Sequence, residues 1–188
     1  LIKGQKTGFF LDQRDNRKMV GQYASGKKLL NLYAYTGGFS IYALNNGAEE
    51  VVSVDISRDA VEMMEKNVQI NHAQDRHEAL AENVHEYMKS IADGHFDIIV
   101  LDPPAFAKSQ KKRHNAVQAY KRINAMAMQK VKSGGLLFTF SCSQVVDPPL
   151  FYHTVTAAAM EVGRTVKVLH RLSQGGDHPV SLFHPEGE

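Results

Sequence analysis

The sequence predicts an α/β fold, with a mostly parallel central sheet and helices on both of its faces. Three observations carry that expectation. Short apolar runs rich in β-branched residues recur along the chain and alternate with helical patterns. The runs are apolar nearly throughout, as strands buried on both faces must be. Gly, Pro or Asp clusters follow them and mark the turns. With 188 residues, 43% of them hydrophobic and 22% charged, the chain suits one domain with a substantial core.

The elements follow in order. Gly8-Phe9-Phe10-Leu11 reads as a short extended piece, and Asp12-Gln13-Arg14 leads into a polar helix. Residues 28–35 read as a strand that ends in Thr36-Gly37-Gly38, and residues 39–46 as a helix stopped by Gly47. Val51 to Ile56 is a buried strand. Ser57 is a good N-cap for a helix running to about Asn71, with Val61, Met64 and Val68 on one face. Residues 77–81 read as a short strand, 84–91 as a helix, and 96–101 as a buried strand ended by Asp102-Pro103-Pro104. A long amphipathic helix covers about 116–131 and is punctuated by Ser133-Gly134-Gly135. Residues 136–141 form the next strand, Pro148 and Pro149 start a helix over 150–162, and 165–170 form the last strand.

Composition excludes several classes. No apolar run reaches the ~18 residues of a membrane span. No low-complexity tract argues for disorder. The single cysteine rules out an internal disulfide framework and a Cys-rich zinc site. It also suits a reducing, cytoplasmic setting. The nine histidines show no metal-ligand spacing, so no metal is expected, and the seven methionines fit helix faces as core residues. The chain opens on Leu1-Ile2-Lys3-Gly4 without Met or a signal-peptide pattern, and reads as a piece of a longer protein.

Charge is uneven. Between Asp102 and Asp147 there is no acidic residue, while Lys108, Lys111, Lys112, Arg113, Lys121, Arg122, Lys130 and Lys132 put +8 there; the chain nets +2, so the rest carries −6. Such a block is either a solvated helix face or the footprint of a polyanion. It directly follows a strand end, which favours RNA contact through Lys108, Lys111, Lys112, Arg113, Lys121 and Arg122. Tyr120, Lys121 and Arg122 either flank the RNA or form a solvated face. Backbone phosphates would set affinity, with the target base turned out of its stack.

Parallel α/β sheets bind ligands at the carboxyl ends of their strands. The residues to examine are therefore 33–39, Asp55, Asn83, 102–106 and 141–143. The turn Tyr35-Thr36-Gly37-Gly38-Phe39 lets backbone approach a ligand, but it lacks the G-x-G-x-x-G spacing that a pyrophosphate requires, which argues against a nicotinamide dehydrogenase. Asp55 lies 18 residues beyond Gly37, where a carboxylate can accept hydrogen bonds from ribose hydroxyls. The pair points to an adenosine-bearing ligand.

The string from Asn31 to Ser40 (NLYAYTGGFS) resembles motif I of class I S-adenosylmethionine (SAM) methyltransferases. More narrowly, the chain resembles the catalytic domain of RlmI-like 23S rRNA (cytosine-5) methyltransferases over almost its whole length. Residues 6–17 are similar to that family's leading motif, 102–107 (DPPAFA) to its motif IV, 141–144 (SCSQ) to its motif VI, and 178–188 to the run before its final strand. The resemblance implies a Rossmann-like class I methyltransferase fold at residues 27–188, with residues 1–26 as a leading segment packed on it. It also implies that an N-terminal PUA and β-hairpin region and the last strand lie outside this chain. By the same resemblance, residues from Asn31 to Phe39, including Tyr33, Tyr35, Thr36 and Gly37, wrap the methionine end of SAM. Asp55 holds the ribose, Ile56 lies against the adenine, and Asn83 stands where the family more often has Asp. Gln13 and Arg14 close over the methionine carboxylate, and Asp102 adjoins the cofactor.

Cys142 and Asp102 are the candidate catalytic pair. Cytosine C5 is a poor nucleophile, and adding a thiolate at C6 activates it, which is covalent catalysis. Asp102, fixed by the two prolines after it, would hydrogen-bond the pyrimidine. The bland alternatives are a small buried Cys and a strand-end turn Asp. The thiol pKa must fall for reaction at neutral pH, and the basic block from Lys108 onward is the expected source of that field. Ala105 stands where many RNA cytosine-5 enzymes carry a second Cys, so the base that takes the C5 proton is not identified; Asp102 and a water are candidates. The expected activity is methyl transfer from SAM to C5 of a cytosine in RNA, chiefly large-subunit rRNA. An N-methyltransferase using Asp102-Pro103-Pro104 with Cys142 structural, and a non-catalytic SAM- and RNA-binding module, are the alternatives.

Overall fold

A computed structural model describes residues 10–176. The motif residues before Phe10 and the run from 178 lie outside them. Among the described residues, five parallel strands form one sheet in the order β3-β2-β1-β4-β5. They are β1 (Lys28–Leu32), β2 (Glu50–Asp55), β3 (His77–Ala81), β4 (Phe96–Leu101) and β5 (Val131–Thr139). The helices are α1 (Arg14–Tyr23), α2 (Gly38–Asn45), α3 (Arg58–Ile70), α4 (Val84–Ser90), α5 (Arg113–Lys130) and α6 (Pro148–Glu161). None of them is long and apolar enough to cross a membrane.

Strand periodicity sorts the core into two layers. Leu29, Val51, Ile98 and Val100 face one side, packed with Val20 of α1, Phe39, Ala43 and Leu44 of α2, and Val68 of α3. Leu30, Leu32, Val52, Val54, Ile99 and Leu101 face the other, with Val84 and Met88 of α4 and Ile123 of α5. Both faces are therefore largely apolar, and the polar groups open to a ligand gather at the strand ends. Chain order reverses between β1 and β4, so the crevice beside their carboxyl ends is the switch point.

Helix starts obey the sequence. Ser57 Oγ accepts from the Ala60 amide, and Asp147 from Leu150 ahead of Pro148 and Pro149. Val61, Met64 and Val68 are buried as the period requires.

Three expectations are corrected. The first strand stops at Leu32 rather than residue 35, because Tyr33 (φ 58°) and Tyr35 (φ 48°) take left-handed backbone that a ladder cannot continue. Ser133-Gly134-Gly135 lies inside β5, not before it. The pairing jumps from Phe96↔Val131 to Ile98↔Leu136, so residues 132–135 bulge out, with Gly134 at φ 76°. Residues 165–170 are not a strand: they pair with no edge and are exposed throughout, and a single extended segment has nothing to bond its backbone. His170 is instead tied to the Tyr23 hydroxyl at 2.7 Å. In the leading segment, Phe10 is extended and Leu11–Gln13 form one turn of 3₁₀ helix.

Gly37 caps α2 at φ 78°, and a Cβ there would meet Met64 Cγ at 2.7 Å. Gly26 shares the backbone (φ 66°), but a Cβ there would meet nothing within 4 Å. Gly37→Ala should therefore cost about 2–4 kcal/mol, and Gly26→Ala only about 1–2 kcal/mol. Denaturant titration of both variants isolates the steric part. Equal losses would show that Met64 yields freely.

Candidate active site

The turn after β1 is held from β2. Asp55 Oδ2 accepts the Tyr35 amide at 2.9 Å, and Oδ1 accepts the Ser57 amide at 2.9 Å. One carboxylate thus fixes a turn in which Tyr33, Tyr35 and Gly37 are all left-handed. Each of its oxygens keeps a second lone pair for a ribose hydroxyl. Thr36 is buried and its carbonyl accepts from Asn67 Nδ2 at 2.9 Å. Ile56, next to Asp55, is 71% exposed, an apolar side chain displayed at a strand end as a planar base would want.

Other expected cofactor residues sit differently. Asn31 is only 1% exposed and points into the core. Its Nδ2 donates to Ser40 Oγ at 2.8 Å, in a buried chain that passes through Ser53 Oγ (2.7 Å) to His77 Nε2 (2.8 Å). It supports the turn from beneath. Burial pushes the Tyr33 phenol up to about 12, so the hydroxyl stays protonated. Phe39 is buried against Phe140, ring centroids 5.5 Å apart. Asn83 Oδ1 caps α4 through the His85 amide at 2.9 Å, which leaves its NH₂ as the freer group, a donor rather than an acceptor.

The leading helix brings a cation that sequence reasoning missed. Arg14 is half exposed and turned toward Asp15, and Gln13 accepts from Asn16. Arg17 is 4% exposed. Its guanidinium donates to the Phe10 carbonyl and lies 5.9 Å from the centre of the Phe39 ring. Burial works against its charge, while Tyr42, Asp12 and Asp102 support it. The signal was present: Arg17, Val20, Gly21 and Ala24 follow helical spacing, and that stripe is the buried one.

β4 and β5 bring Asp102 and Cys142 together. The Phe140 amide donates to the Leu101 carbonyl at 3.0 Å, so the two strands leave the sheet side by side. The Cys142 thiol is exposed and donates to the Pro103 carbonyl at 3.6 Å. Ser143 Oγ donates to the Ala107 carbonyl at 2.9 Å and ties the two loops. Burial, helped by Asp12, pushes the Asp102 carboxyl up to about 6 against the pull of Arg17. Desolvation and the Asp102 charge push the Cys142 thiol up as well. The expected lowering of the thiol by the basic block is therefore corrected: the charges that act on the sulfur, Asp102 and Asp12, are acids.

The basic block is divided by α5, which runs from the carboxyl ends of the strands back to their amino ends. Lys108, Lys111 and Lys112 are exposed ahead of the helix. Arg113 reaches Asp147 at 3.2 Å, Lys121 pairs with Glu161, and Arg122 is exposed on the side of His85. Lys130 and Lys132 belong to the opposite end of the sheet, held by Asp93 and Asp97. Tyr120 does not flank RNA: it is 0% exposed, wedged between Phe106 (4.7 Å) and Phe151 (5.5 Å). Ala116, Tyr120, Ile123 and Ala127 mark the buried stripe of α5. Among the described residues no cluster could hold a metal ion.

Ribosomal RNA large subunit methyltransferase I of Aeromonas salmonicida is 44% identical over 187 residues, covering 98% of this chain and 47% of the relative. That of Vibrio vulnificus is 40% identical over 192 residues, covering 100% and 48%. The chain thus spans about half the length of the curated relatives it matches. A protein crystallised in complex with SAH shares the fold at a TM-score of 0.82 and 23% identity, over 95% of this chain and 47% of that one. A family model described as S-adenosylmethionine-dependent methyltransferase matches residues 1–180. With that match, and with strand ends built as above, the chain belongs to the S-adenosylmethionine-dependent methyltransferase family.

Proposed function

We propose that the chain is the catalytic part of an enzyme that methylates C5 of a cytosine in large-subunit rRNA through a covalent adduct with Cys142. The observation that carries the reading is the 3.6 Å contact from the Cys142 thiol to the Pro103 carbonyl, because it sets the thiol beside Asp102 at the open end of the sheet. The substrate class rests on relatives named as large-subunit ribosomal RNA methyltransferases.

SAM is the cofactor of the family, and when bound it supplies an electrophilic methyl group. The residues present suit it. Asp55 keeps acceptors for the ribose, and Ile56 offers an apolar face. Arg17, rather than Arg14, is the buried cation suited to the methionine carboxylate. Asp102 takes the thiol proton, leaving thiolate and a protonated carboxyl. The thiolate adds to C6, and the ring electrons move toward N3, where the Asp102 proton meets them. C5 then accepts the methyl group. A water takes the C5 proton, the Cys142 thiolate leaves as the C5–C6 double bond re-forms, and the N3 proton returns through Asp102 to the sulfur.

Amino-group methylation is the weaker reading, because Phe106, the aromatic that would stack on the base, is engaged edge-on with Tyr120. The residues between 27 and 188 make up the methyltransferase unit in this proposal, with the leading segment contributing Arg17, and the rest of a longer protein adds RNA contacts.

Cys142→Ala should abolish methyl transfer from labelled SAM to unmodified rRNA, by about 10³-fold or more, while leaving cofactor binding unchanged. Persisting transfer would sink the covalent route.

The reactive form pairs protonated Asp102 with a thiolate, the minority arrangement of the two groups. Below about pH 6 both groups carry their protons, and kcat/KM rises with pH. Between that value and the raised thiol pKa it is flat, and above the thiol pKa it falls. Asp102→Asn should erase the limb near pH 6. It should also stabilise the fold by up to about 3 kcal/mol at pH 8 but not at pH 3, since a carboxyl raised on folding stabilises only while protonated. A pH-rate profile and paired melts read both effects.

Replacing Lys108, Lys111 and Lys112 together by Ala should weaken RNA binding and flatten the log K against log salt slope by about 2–3. The same change at Lys132 should leave the slope unaltered.

A further inference from the structure

A buried chain of hydrogen bonds joins the glycine turn to the β3 edge of the sheet, and its outer end has no role in the chemistry described so far. Asn31 Nδ2 donates to Ser40 Oγ at 2.8 Å, Ser40 Oγ meets Ser53 Oγ at 2.7 Å, and Ser53 Oγ meets His77 Nε2 at 2.8 Å. Strand register sets the three strand residues on one face. Asn31 pairs with Ser53 across β1 and β2, and Val51, two residues before Ser53, pairs with His77 at the start of β3. The first bond is a staple. Asn31 lies in β1, just before the turn at residues 33–37, and Ser40 lies in α2, just after it. Asp55 holds the middle of that turn, while the Asn31 amide and the Ser40 hydroxyl hold its two ends together.

The chain has a direction. The Asn31 amide presents its nitrogen, which can only donate, so Ser40 accepts. Ser40 then gives its own proton to Ser53, and Ser53 gives its proton to His77 Nε2. Each proton in the chain meets one acceptor, and the last acceptor is the imidazole. Burial pushes the His77 pKa down to about 4, so at neutral pH the ring is uncharged and one nitrogen is free to accept. Asn31 is 1% exposed and both serines are 0% exposed, so solvent does not replace a lost partner. Without the imidazole there is one proton more than there are acceptors, and a buried donor is left unpaired wherever the break falls. We infer that His77 is a positioning residue: as the terminal acceptor of the chain it keeps Ser40 available to Asn31, holds the ends of the glycine turn together, and so sets the affinity for SAM from the edge strand. Neither Cys142 nor the choice of nucleobase enters this argument, which stands apart from the covalent route.

Three substitutions separate the acceptor from the bulk of the ring. His77→Phe keeps a planar ring in β3 and removes the acceptor. His77→Gln supplies a carbonyl oxygen that can accept. Ser53→Ala removes the proton that His77 receives. The experiment titrates SAH by calorimetry into the unaltered chain, each variant and the double variant Ser53→Ala/His77→Phe, at a temperature where melting curves show all of them folded. His77→Phe should weaken SAH binding by about 10-fold, and His77→Gln should stay within about 2-fold of the unaltered chain. In the Ser53→Ala background His77→Phe should cost nothing further, because no proton is left for the imidazole to receive. Three results would each overturn the inference by showing the imidazole idle or merely packed: unchanged binding in His77→Phe, equal losses in the phenylalanine and glutamine variants, or a full additional loss in the Ser53→Ala background. Should His77→Phe not fold, His77→Leu, which also lacks an acceptor, takes its place in every comparison.

Discussion

The carboxylate of Asp55 carries more of this site than any other single group. It ties the amide of Tyr35 in the turn after β1 to the amide of Ser57 at the cap of α3. The turn it holds has three left-handed residues within five positions, two of them tyrosines. A non-glycine residue in that conformation costs roughly 1–2 kcal/mol, so the turn needs an external tie to persist. Because the tie comes from the end of the adjacent strand, the glycine turn, the exposed Ile56 and the ribose acceptor are fixed as one unit. The buried chain Asn31–Ser40–Ser53–His77 braces the same unit from below, across β1, α2, β2 and β3.

The second half of the site is governed by charge in a dry setting. Asp102 follows an almost fully buried strand, within electrostatic reach of Arg17 and Asp12. Burial and the acid outweigh the guanidinium, so the carboxyl titrates near 6. The thiol beside it is raised for the same reasons. A pair of groups both shifted toward their protonated forms shares protons readily, which suits a step needing a thiolate and an acid at once. Distant lysines do not change this balance, because they are exposed and screened by water and salt.

The sequence was legible wherever one local rule decided the outcome. The apolar runs at 51–55 and 96–101 are strands, Ser57 and Asp147 are caps, and the face of α3 is the one its period names. It was less legible where a partner decided. Residues 165–170 have strand composition but no edge to join. The glycines at 134 and 135 look like a stop signal and are a bulge, because β4 and β5 resume pairing beyond them. Arg17 and Tyr120 lie in helices whose composition is polar and basic, although their helical spacing assigns both to buried stripes.

By itself the sequence determined the alternation of strands and helices, the two-sided core, and which residues stand at the strand ends. These follow from periodicity and backbone preference, which are properties of neighbours along the chain. The tertiary structure alone decided how the ends combine: that Arg17 is buried while Arg14 stays half exposed, that Asp102 meets Cys142 through the Pro103 carbonyl, and that the thiol is raised rather than lowered. Those outcomes depend on distances between segments and on how much water each group loses, and such quantities exist only once the strands lie side by side.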